Sequence, residues 1–165
     1  MIKVAIITMS DKGYKGERED LTGPALVKSV EANLAFEVVY TNLLPDDKEM
    51  IKKELIELSN NKIADLILTN GGTGFSQRDI TPEATLEIVE REVPGIPEYM
   101  RLKSFEITKK AMLSRSRCGI RKETLILNLP GSPKGAVENL SFVLDTLIHG
   151  IEILKGEANE CAAKV

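Results

Sequence analysis

The feature that most constrains the fold is the alternation of short, strand-like segments with segments whose apolar residues recur at helical spacing. Residues 3–9 are a continuous apolar run after one lysine, and residues 36–44, 65–69 and 124–129 are the other predicted strands. Continuous apolar runs are typical of strands buried on both faces of a parallel sheet. The sequence therefore predicts an α/β fold whose mostly parallel sheet is covered by helices on both sides, in one domain over residues 1–165.

Helix starts are indicated by proline, aspartate and threonine at the ends of the apolar segments. Pro24 stands where the first helix is expected to begin, because its missing N–H costs nothing in the first turn. Asp46 or Asp47 can cap the next helix. Thr81 is the expected N-cap of a further helix, with Pro82 at its first position.

Other segments are less regular. Residues 12–23 combine glycines with many charges and are expected to form a mobile loop. Residues 98–110 are predicted to be helical, and residues 115–121 are ambiguous, with a short strand as one interpretation. A single final helix is expected after the turn at 130–133, with one apolar stripe: Val137, Leu140, Leu144, Leu147 and Ile151.

Composition excludes several classes of protein. The formal net charge is −3 and the pI is about 5.4, which argues against a broad nucleic-acid surface because such surfaces need positive charge. Small anionic ligands need only a few local cations and stay possible. No run approaches the ~18 consecutive apolar residues of a membrane helix, and the first residues lack the features of a signal peptide. We therefore expect a cytoplasmic protein without a membrane or nucleic-acid partner.

Cysteine and histidine are too few for the common catalytic and metal sites. Cys118 and Cys161 have no metal-ligand or CxxC spacing, and free thiols in a reducing compartment are expected. The one histidine, His149, lies in an apolar helical segment where a packing or surface role is the simpler interpretation. Metalloprotease histidine pairs and Ser-His-Asp triads are thereby disfavoured.

The segment TNGGTGFSQRDITPEA at 69–84 carries the strongest functional signal. Its three closely spaced glycines let backbone N–H groups approach and surround an anion. Arg78 can add a guanidinium fork, Asp79 can hold a metal ion or orient a polar group, and the helix at Thr81 presents its positive end. The alternative interpretation is a tight turn that leads into a capped helix.

Three further loops follow predicted strands. In open parallel sheets, ligands bind beyond the carboxyl ends of the strands, so these loops should converge with the glycine segment on one edge. They contain Ser10 and Asp11, Asp46 and Asp47, and the turn Pro130-Gly131-Ser132-Pro133-Lys134. The purely structural alternatives are helix capping by the aspartates and a rigid turn before a helix. If Asp46 and Asp79 meet at this edge, the two carboxylates can share Mg²⁺.

Taken together, these motifs resemble one family. GGTG…RDITPEA at 71–84, LPDD at 44–47, LSR at 113–115, LPGSPKG at 129–135 and the opening loop at 10–24 are similar to those of molybdopterin adenylyltransferases. That family includes the Mog proteins and the matching domains of gephyrin and plant Cnx. The resemblance extends over residues 3–155, and its central motif is long and specific.

The resemblance implies a three-layer α/β fold and a homotrimer. It implies ATP and molybdopterin as substrates, Mg²⁺ as cofactor, and transfer of AMP to the terminal phosphate of molybdopterin with release of pyrophosphate. A downstream partner enzyme would then insert molybdate. A sister group, the MoaB-type proteins, shares the glycine motif, so a non-catalytic molybdopterin-binding protein is the alternative. The residues from Arg78 to Thr81 are more similar to the Mog pattern.

By motif matching, Asp46 and Asp79 correspond to the family's catalytic acidic pair and are the candidate Mg²⁺ ligands. An insertion that some longer members carry before the last helix is absent, so its contacts are not transferred. Together with the residues chosen on chemical grounds, the candidate nucleotide- and substrate-binding residues are Ser10, Asp11, Gly71, Gly72, Thr73, Gly74, Arg78, Thr81, Ser114, Arg115, Pro130, Gly131, Ser132 and Pro133.

Overall fold

The structure is a computed structural model that describes residues 1–157, so Cys161 lies outside the described residues. Six strands form one sheet: β1 Ile2–Met9, β2 Phe36–Leu44, β3 Leu66–Asn70, β4 Arg91–Glu92, β5 Cys118–Arg121 and β6 Thr124–Leu129. The α-helices are α1 Asp11–Tyr14, α2 Thr22–Glu31, α3 Lys48–Asn60, α4 Thr81–Ile88, α5 Gly95–Phe105, α6 Pro133–Ser141 and α7 Leu144–Leu154, and a 3₁₀-helix spans Lys109–Leu113.

The sheet is mostly parallel, with strand order β2-β1-β3-β6-β5-β4. The first four of these strands run parallel to one another, β5 pairs antiparallel with β6, and the short edge strand β4 pairs antiparallel with β5. Helices α2, α5, α6 and α7 pack on one face, and α3 and α4 pack on the other. The predicted three-layer α/β fold is confirmed.

Each central strand contributes side chains to two separate cores, which explains its continuous apolar sequence. In β1, Ile6 packs on the face with α2, whereas Ile7 packs on the face with α3. Leu68 and Ile67 of β3 divide in the same way, and all four side chains are at most 1% exposed. A strand with polar residues on one face could not fill both layers.

Helix starts differ from the predictions at two places. Helix α2 begins at Thr22 rather than Pro24, because the Asp20 carboxylate accepts hydrogen bonds from the N–H groups of Thr22 (3.0 Å) and Gly23 (2.9 Å). Thr81 is the first residue of α4 and not its N-cap, which is Ile80. The prediction that an aspartate caps α3 is confirmed, since Asp47 accepts from the N–H of Met50 at 2.9 Å.

The irregular segments also contain more structure than predicted. Residues 12–23 begin with the end of the short helix α1, whose start is capped by the Ser10 hydroxyl. The helix predicted at 98–110 ends at Phe105, and the single final helix is broken at Phe142 and Val143. Val143 is 5% exposed, and its side chain packs in the core in a non-helical conformation that turns α7 away from α6. No glycine or proline marks that break.

The strand predicted within 115–121 is confirmed as β5. A two-residue turn with Lys122 at φ 55° reverses the chain into β6, so β5 pairs antiparallel with it. Strand β4, only two residues long and exposed, was not predicted. Among the helices of residues 1–157, none is long and apolar enough to span a bilayer.

Candidate active site

Four loops meet at the carboxyl ends of β1, β2, β3 and β6, as predicted, and enclose a cavity of about 850 Å³. We refer to it as the four-loop cavity. Its lining includes these predicted residues, grouped by loop: Ser10 and Asp11; Asp46; Gly71, Gly72, Arg78 and Asp79; and Gly131, Ser132 and Pro133. The structure thus brings most of the candidate residues together, while their binding roles stay predictions.

Gly71 is required by the path of the chain out of β3. It has φ +93°, and a Cβ atom there would lie 2.3 Å from the carbonyl oxygen of Met9. The turn at 130–133 also approaches the glycine segment closely, because a Cβ atom on Gly131 would lie 3.2 Å from the Cα of Gly71. Only residues without side chains let the glycine segment pass between the end of β1 and the turn at 130–133.

Gly72 makes room for the acidic group from the neighbouring loop. It has φ +65°, and a Cβ atom there would lie 3.1 Å from Oδ1 of Asp46 and 2.3 Å from Oγ1 of Thr81. The backbone N–H of Thr81 also donates to the carbonyl of Gly72 at 3.2 Å. Thr81 is fully buried behind the glycine segment, where it holds the loop and is not part of the cavity lining.

Asp46 is held by reciprocal hydrogen bonds with Asp11. The N–H of Asp11 donates to Oδ2 of Asp46 at 3.1 Å, and the N–H of Asp46 donates to Oδ1 of Asp11 at 3.0 Å. Oδ1 of Asp46 is buried and has no hydrogen-bond partner within the described residues. Burial, together with repulsion from the carboxylates of Asp11 and Asp79, raises the pKa of Asp46, against the opposing bond from Asp11 and the charge of Arg78.

Asp79 faces the same cavity from the glycine segment. Its Oδ2 accepts a hydrogen bond from the N–H of Ser76 at 3.0 Å, which fixes the carboxylate over the loop. Asp46 and Asp79 both line the four-loop cavity, and the charge of Asp79 contributes to the raised pKa of Asp46. They therefore meet at one edge, as the Mg²⁺ hypothesis requires.

The donor set fits Mg²⁺, which takes one or two protein carboxylates and completes its shell with water and substrate phosphates. Asp46 offers an unpartnered, desolvated oxygen, and Asp79 adds a second hard ligand from the facing loop. Within residues 1–157, no cluster of three or more acidic, histidine or cysteine side chains forms a complete metal cage. An ion here would depend on ligands from the substrate.

Arg78 and Asp11 form an ion pair across the mouth of the cavity. Nε and Nη2 of Arg78 donate to the two carboxylate oxygens of Asp11 at 2.8 and 2.9 Å. The hydrogen bonds from Arg78 are the main cause of the lowered pKa of Asp11. The Arg78 side chain is 61% exposed, so its guanidinium is accessible to solvent as well as paired with Asp11.

Sequence reasoning missed several residues of the lining. Lys12 and Arg18 add positive charge, and Thr8, Asp20 and Thr22 add polar contacts beneath the first loop. The hydroxyl of Thr22 donates to the carbonyl of Gly131 at 2.7 Å and so joins α2 to the turn at 130–133. The signal for the cations was the high charge of residues 12–23, which we interpreted only as a mobile loop.

Arg115 does not face the four-loop cavity. Nε donates to the carbonyl of Gly74 at 2.8 Å, Nη2 donates to the carbonyl of Asp79 at 2.7 Å, and Nη1 pairs with the carboxylate of Glu83. With all three guanidinium nitrogens engaged, Arg115 braces the glycine segment from behind. The prediction that it contacts substrate is therefore not supported by its position.

A second, smaller cavity of about 320 Å³ adjoins the first and is lined by the remaining candidates. Thr73, Gly74, Ser114 and Pro130 contribute to it, and Ser132 lines both cavities. Its other side is more apolar and is formed by Ile107, Ala111 and Leu113. The glycine segment and the turn at 130–133 thus separate a charged cavity from a largely apolar one.

A third cavity, of about 920 Å³, lies between α2 and the edge strand β2. It shares Thr8 and Asp20 with the four-loop cavity, but its remaining lining contains Pro24, Val27 and Leu43 and none of the candidate binding residues. Of these three cavities, only the four-loop cavity combines carboxylates, guanidinium groups and left-handed glycines. We therefore regard that cavity, with its smaller neighbour, as the candidate active site.

Comparison with known proteins agrees with the motifs. A family model described as "Probable molybdopterin binding domain" matches residues 5–149. The chain is 38% identical over 178 residues to the molybdopterin adenylyltransferase of Escherichia coli, covering 99% of this chain and 91% of that protein. It is 39% identical over 153 residues to the molybdenum cofactor synthesis protein cinnamon of Drosophila melanogaster, covering 93% of this chain but only 26% of that longer protein.

Solved structures give the same result. The molybdopterin biosynthesis enzyme MoaB from Thermus thermophilus superposes with a TM-score of 0.89 at 52% sequence identity. The superposition covers 94% of this chain and 98% of that chain. The similarity therefore extends over nearly the whole chain.

Proposed function

The chain belongs to the molybdopterin adenylyltransferase family of molybdenum cofactor biosynthesis, and on that basis we propose that it transfers AMP from ATP to the terminal phosphate of molybdopterin. An oxygen of the pterin phosphate attacks the α-phosphorus of ATP. The bond from that phosphorus to the oxygen that bridges it to the β-phosphate breaks, and pyrophosphate leaves with the electron pair. The observation that carries the proposal is the unpartnered, buried Oδ1 of Asp46 beside Asp79.

The reaction needs no strong base in the protein, because the attacking phosphate is already ionised. This requirement agrees with the lining of the four-loop cavity, which contains carboxylates and cations but neither histidine nor cysteine. The barrier lies in bringing two anions together in line. Alignment and charge neutralisation are therefore the contributions that the protein must make.

We assign the triphosphate to the four-loop cavity because its charged groups suit that ligand. Lys12, Arg18 and Arg78 supply positive charge, and the backbone N–H groups of the glycine segment supply neutral donors. Arg78 is expected to leave Asp11 and bind phosphate oxygens, which its planar fork fits in a bidentate geometry.

Asp46 and Asp79 are the residues that would hold Mg²⁺. When bound, this ion would withdraw charge from the triphosphate and stabilise the leaving pyrophosphate. The reciprocal hydrogen bonds with Asp11 orient the Asp46 carboxylate, and the N–H of Ser76 orients Asp79. Both ligands are thereby positioned before substrate arrives.

We assign the pterin ring to the smaller cavity, whose partly apolar walls suit a flat heterocycle. Ile107 and Leu113 can pack against the ring, while Thr73 and Ser114 offer hydrogen bonds to its polar edge. Ser132 lines both cavities, and its hydroxyl caps α6 by accepting from the N–H of Gly135 at 3.2 Å. The phosphates of the two substrates would meet at that turn, at the positive end of a helix.

The proposal also includes the domain extent, the compartment, the oligomeric state and the downstream partner. We propose that residues 1–165 form one domain, that the protein works in the cytoplasm as a homotrimer, and that an enzyme for molybdate insertion takes its product. Sedimentation of the purified protein tests the oligomeric state independently of the activity.

The decisive experiment is an assay of purified protein with ATP, Mg²⁺ and molybdopterin. We expect pyrophosphate to be released only when molybdopterin is present, in a one-to-one ratio to adenylylated product. The alternative is a molybdopterin-binding and delivery protein without transfer activity, which the 52% identity to a MoaB structure keeps under consideration. Tight molybdopterin binding without pyrophosphate release would support this alternative and contradict the proposed transfer.

A further inference from the structure

We propose that Asn70 is an additional ligand-binding residue, whose side-chain carbonyl accepts a hydrogen bond from an amino or hydroxyl group of the bound nucleoside. The inference rests on the proposed function in one respect, namely that a nucleotide occupies the four-loop cavity. Asn70 is the last residue of β3, is fully buried, and lines that cavity directly before Gly71.

The orientation of the Asn70 amide is fixed by two neighbours. Nδ2 donates to Oγ1 of Thr8 at 3.0 Å and to the backbone carbonyl of Ile7 at 3.4 Å. A carbonyl oxygen can only accept, so the amide nitrogen, and not the amide oxygen, must face Ile7. The oxygen Oδ1 is therefore the amide atom that remains available to another donor.

Thr8 reinforces this orientation, because its hydroxyl proton is already committed. Its Oγ1 donates to Oδ2 of Asp20 at 2.7 Å and can serve Asn70 only as an acceptor. Asp20 is in turn held by the N–H groups of Thr22 and Gly23 at the start of α2. The positive end of that helix stabilises the carboxylate, so the direction of the whole chain of hydrogen bonds is set.

Oδ1 of Asn70 is left without a donor among the described residues. A buried polar atom without a partner costs stability, and proteins rarely retain one without a reason. Asn128, on the neighbouring strand β6, shows that an unpartnered side-chain oxygen is not general for buried asparagines in the sheet. Its Nδ2 donates to the hydroxyls of Thr69 and Thr85, each at 2.9 Å, and its Oδ1 accepts from the N–H of Arg117 at 3.1 Å.

The chemistry of the free atom selects the part of the ligand that it can bind. A carbonyl oxygen repels phosphate oxygens, so Asn70 is unsuited to the triphosphate. It needs an N–H or O–H donor, which a nucleoside offers as the 6-amino group of adenine and the two ribose hydroxyls. A site built around such a bond discriminates strongly against analogues without the donor, because the protein atom is then left unpaired.

The test measures nucleotide binding by calorimetry in the presence of Mg²⁺, with ATP and three analogues. These are 2′-deoxy-ATP, 3′-deoxy-ATP and purine riboside triphosphate, each of which lacks one donor. We expect the native protein to bind one of the three about tenfold more weakly than ATP. In Asn70→Leu, ATP should bind as weakly as that analogue does, and the discrimination should disappear.

Asn128→Leu is the matched control, since it removes a buried asparagine of the same sheet whose amide is fully used. It should keep the native discrimination among the analogues. If Asn70→Leu does not fold, Thr8→Val replaces it, because loss of the Thr8 hydroxyl frees the Asn70 amide to rotate and should reduce the discrimination about threefold.

Equal binding of ATP and all three analogues by the native protein would overturn the proposal and assign the free atom to a buried water. Discrimination that persists in Asn70→Leu, or that is undiminished in Thr8→Val if that variant is used, would overturn it as well. The assay needs no molybdopterin, so discrimination through Asn70 without pyrophosphate release would contradict only the proposed transfer activity. Full transfer activity without discrimination would contradict only the role of Asn70.

Discussion

The buried polar groups of this protein differ between the interior of the sheet and its carboxyl edge. In the interior, the hydroxyl of Thr124 donates to the carbonyl of Ala64, and the Asn128 amide is bonded on both sides. At the edge, side-chain oxygens of Asp46 and Asn70 are buried without a partner, and both residues line the four-loop cavity. Buried atoms without a partner also occur outside that lining, at Thr81, Glu83 and Arg121, so Asp46 and Asn70 are set apart by their place in the cavity where a ligand is proposed to bind.

The backbone shows the same difference. Gly71 and Gly72, in succession, have positive φ at the carboxyl edge and are packed against backbone or buried side chains. Gly16, in the exposed first loop, also has positive φ, but no atom lies within 4 Å of the position of a Cβ. At Gly71 and Gly72 the path of the chain depends on the absence of a side chain, and both positions lie in the candidate site.

The largest effect is expected at the acidic pair. Asp46→Asn and Asp79→Asn should each lower the rate of AMP transfer by about a hundredfold to a thousandfold, because the remaining group cannot hold the charge-neutralising cation. Thermal stability should not fall in Asp46→Asn, since the change removes a charge whose burial is unfavourable, while the amide oxygen can still accept from the N–H of Asp11. Rates of pyrophosphate release and the melting temperature are the two measurements.

Asp47→Asn is the control for the acidic pair, because asparagine caps a helix as well as aspartate does and the position is adjacent. It should leave the transfer rate unchanged. Near-normal turnover of both Asp46→Asn and Asp79→Asn would remove these residues from the reaction.

The glycine segment should show the next largest effect, in stability. Gly71→Ala places a methyl group against the Met9 carbonyl in a left-handed conformation and should cost about 3 kcal/mol of unfolding free energy, measured by urea denaturation. Gly16→Ala has a similar φ without a contact and should cost only about 1 kcal/mol. Equal losses in the two variants would show that the close approach at Gly71 is not enforced in solution.

The two asparagines test the difference between interior and edge directly. Asn128→Leu leaves the N–H of Arg117 and the hydroxyls of Thr69 and Thr85 without their partner and should cost about 2 kcal/mol. Asn70→Leu should cost less, because one side of that amide is unpaired already. A larger loss in Asn70→Leu would indicate that its free oxygen has a structural partner, such as a bound water.

Arg115 should give a moderate effect on rate. Arg115→Lys cannot bond the carbonyls of Gly74 and Asp79 together with Glu83, so the glycine segment should loosen and transfer should slow about tenfold. Arg121→Lys is the control, since Arg121 also donates to a backbone carbonyl, that of Ile88, but lies away from the cavity. An unchanged rate in Arg115→Lys would show that the brace is dispensable.

The smallest expected effect is the pH dependence of the stability difference between the native protein and Asp46→Asn. The pKa of Asp46 is raised in the folded protein, so the folded state holds this proton more strongly and loses stability as pH rises from the ordinary aspartate range through the raised pKa. The stability advantage of Asp46→Asn should therefore be largest near pH 7 and shrink on acidification. Melting temperatures in EDTA should converge at low pH, with a difference at neutral pH of about 1–2 °C. A constant difference across pH would contradict the assigned pKa shift.

Patterns that depend on local chemistry were predicted well from the sequence. The bounds of β6 agree with the strand predicted at 124–129, because a strand buried on both faces is largely apolar. The bounds of β2 agree with the prediction at 36–44, although this edge strand is exposed at several residues. The break between α6 and α7 was missed, since it is caused by the burial of Val143 in the core and carries no local signal. Asn70, Lys12 and Asp20 were missed for the same reason, because their chemistry depends on neighbours distant in the chain.

The sequence by itself determined the layered α/β architecture, the four strand-end loops and the family, because residue spacing and motif chemistry are local properties. Only the tertiary structure decided that Arg115 braces the glycine segment, that Arg78 pairs with Asp11, and that Asn70 keeps one oxygen free. The physical reason is that hydrogen bonding and desolvation depend on which groups from separate strands become neighbours. That information arises only when the sheet is assembled.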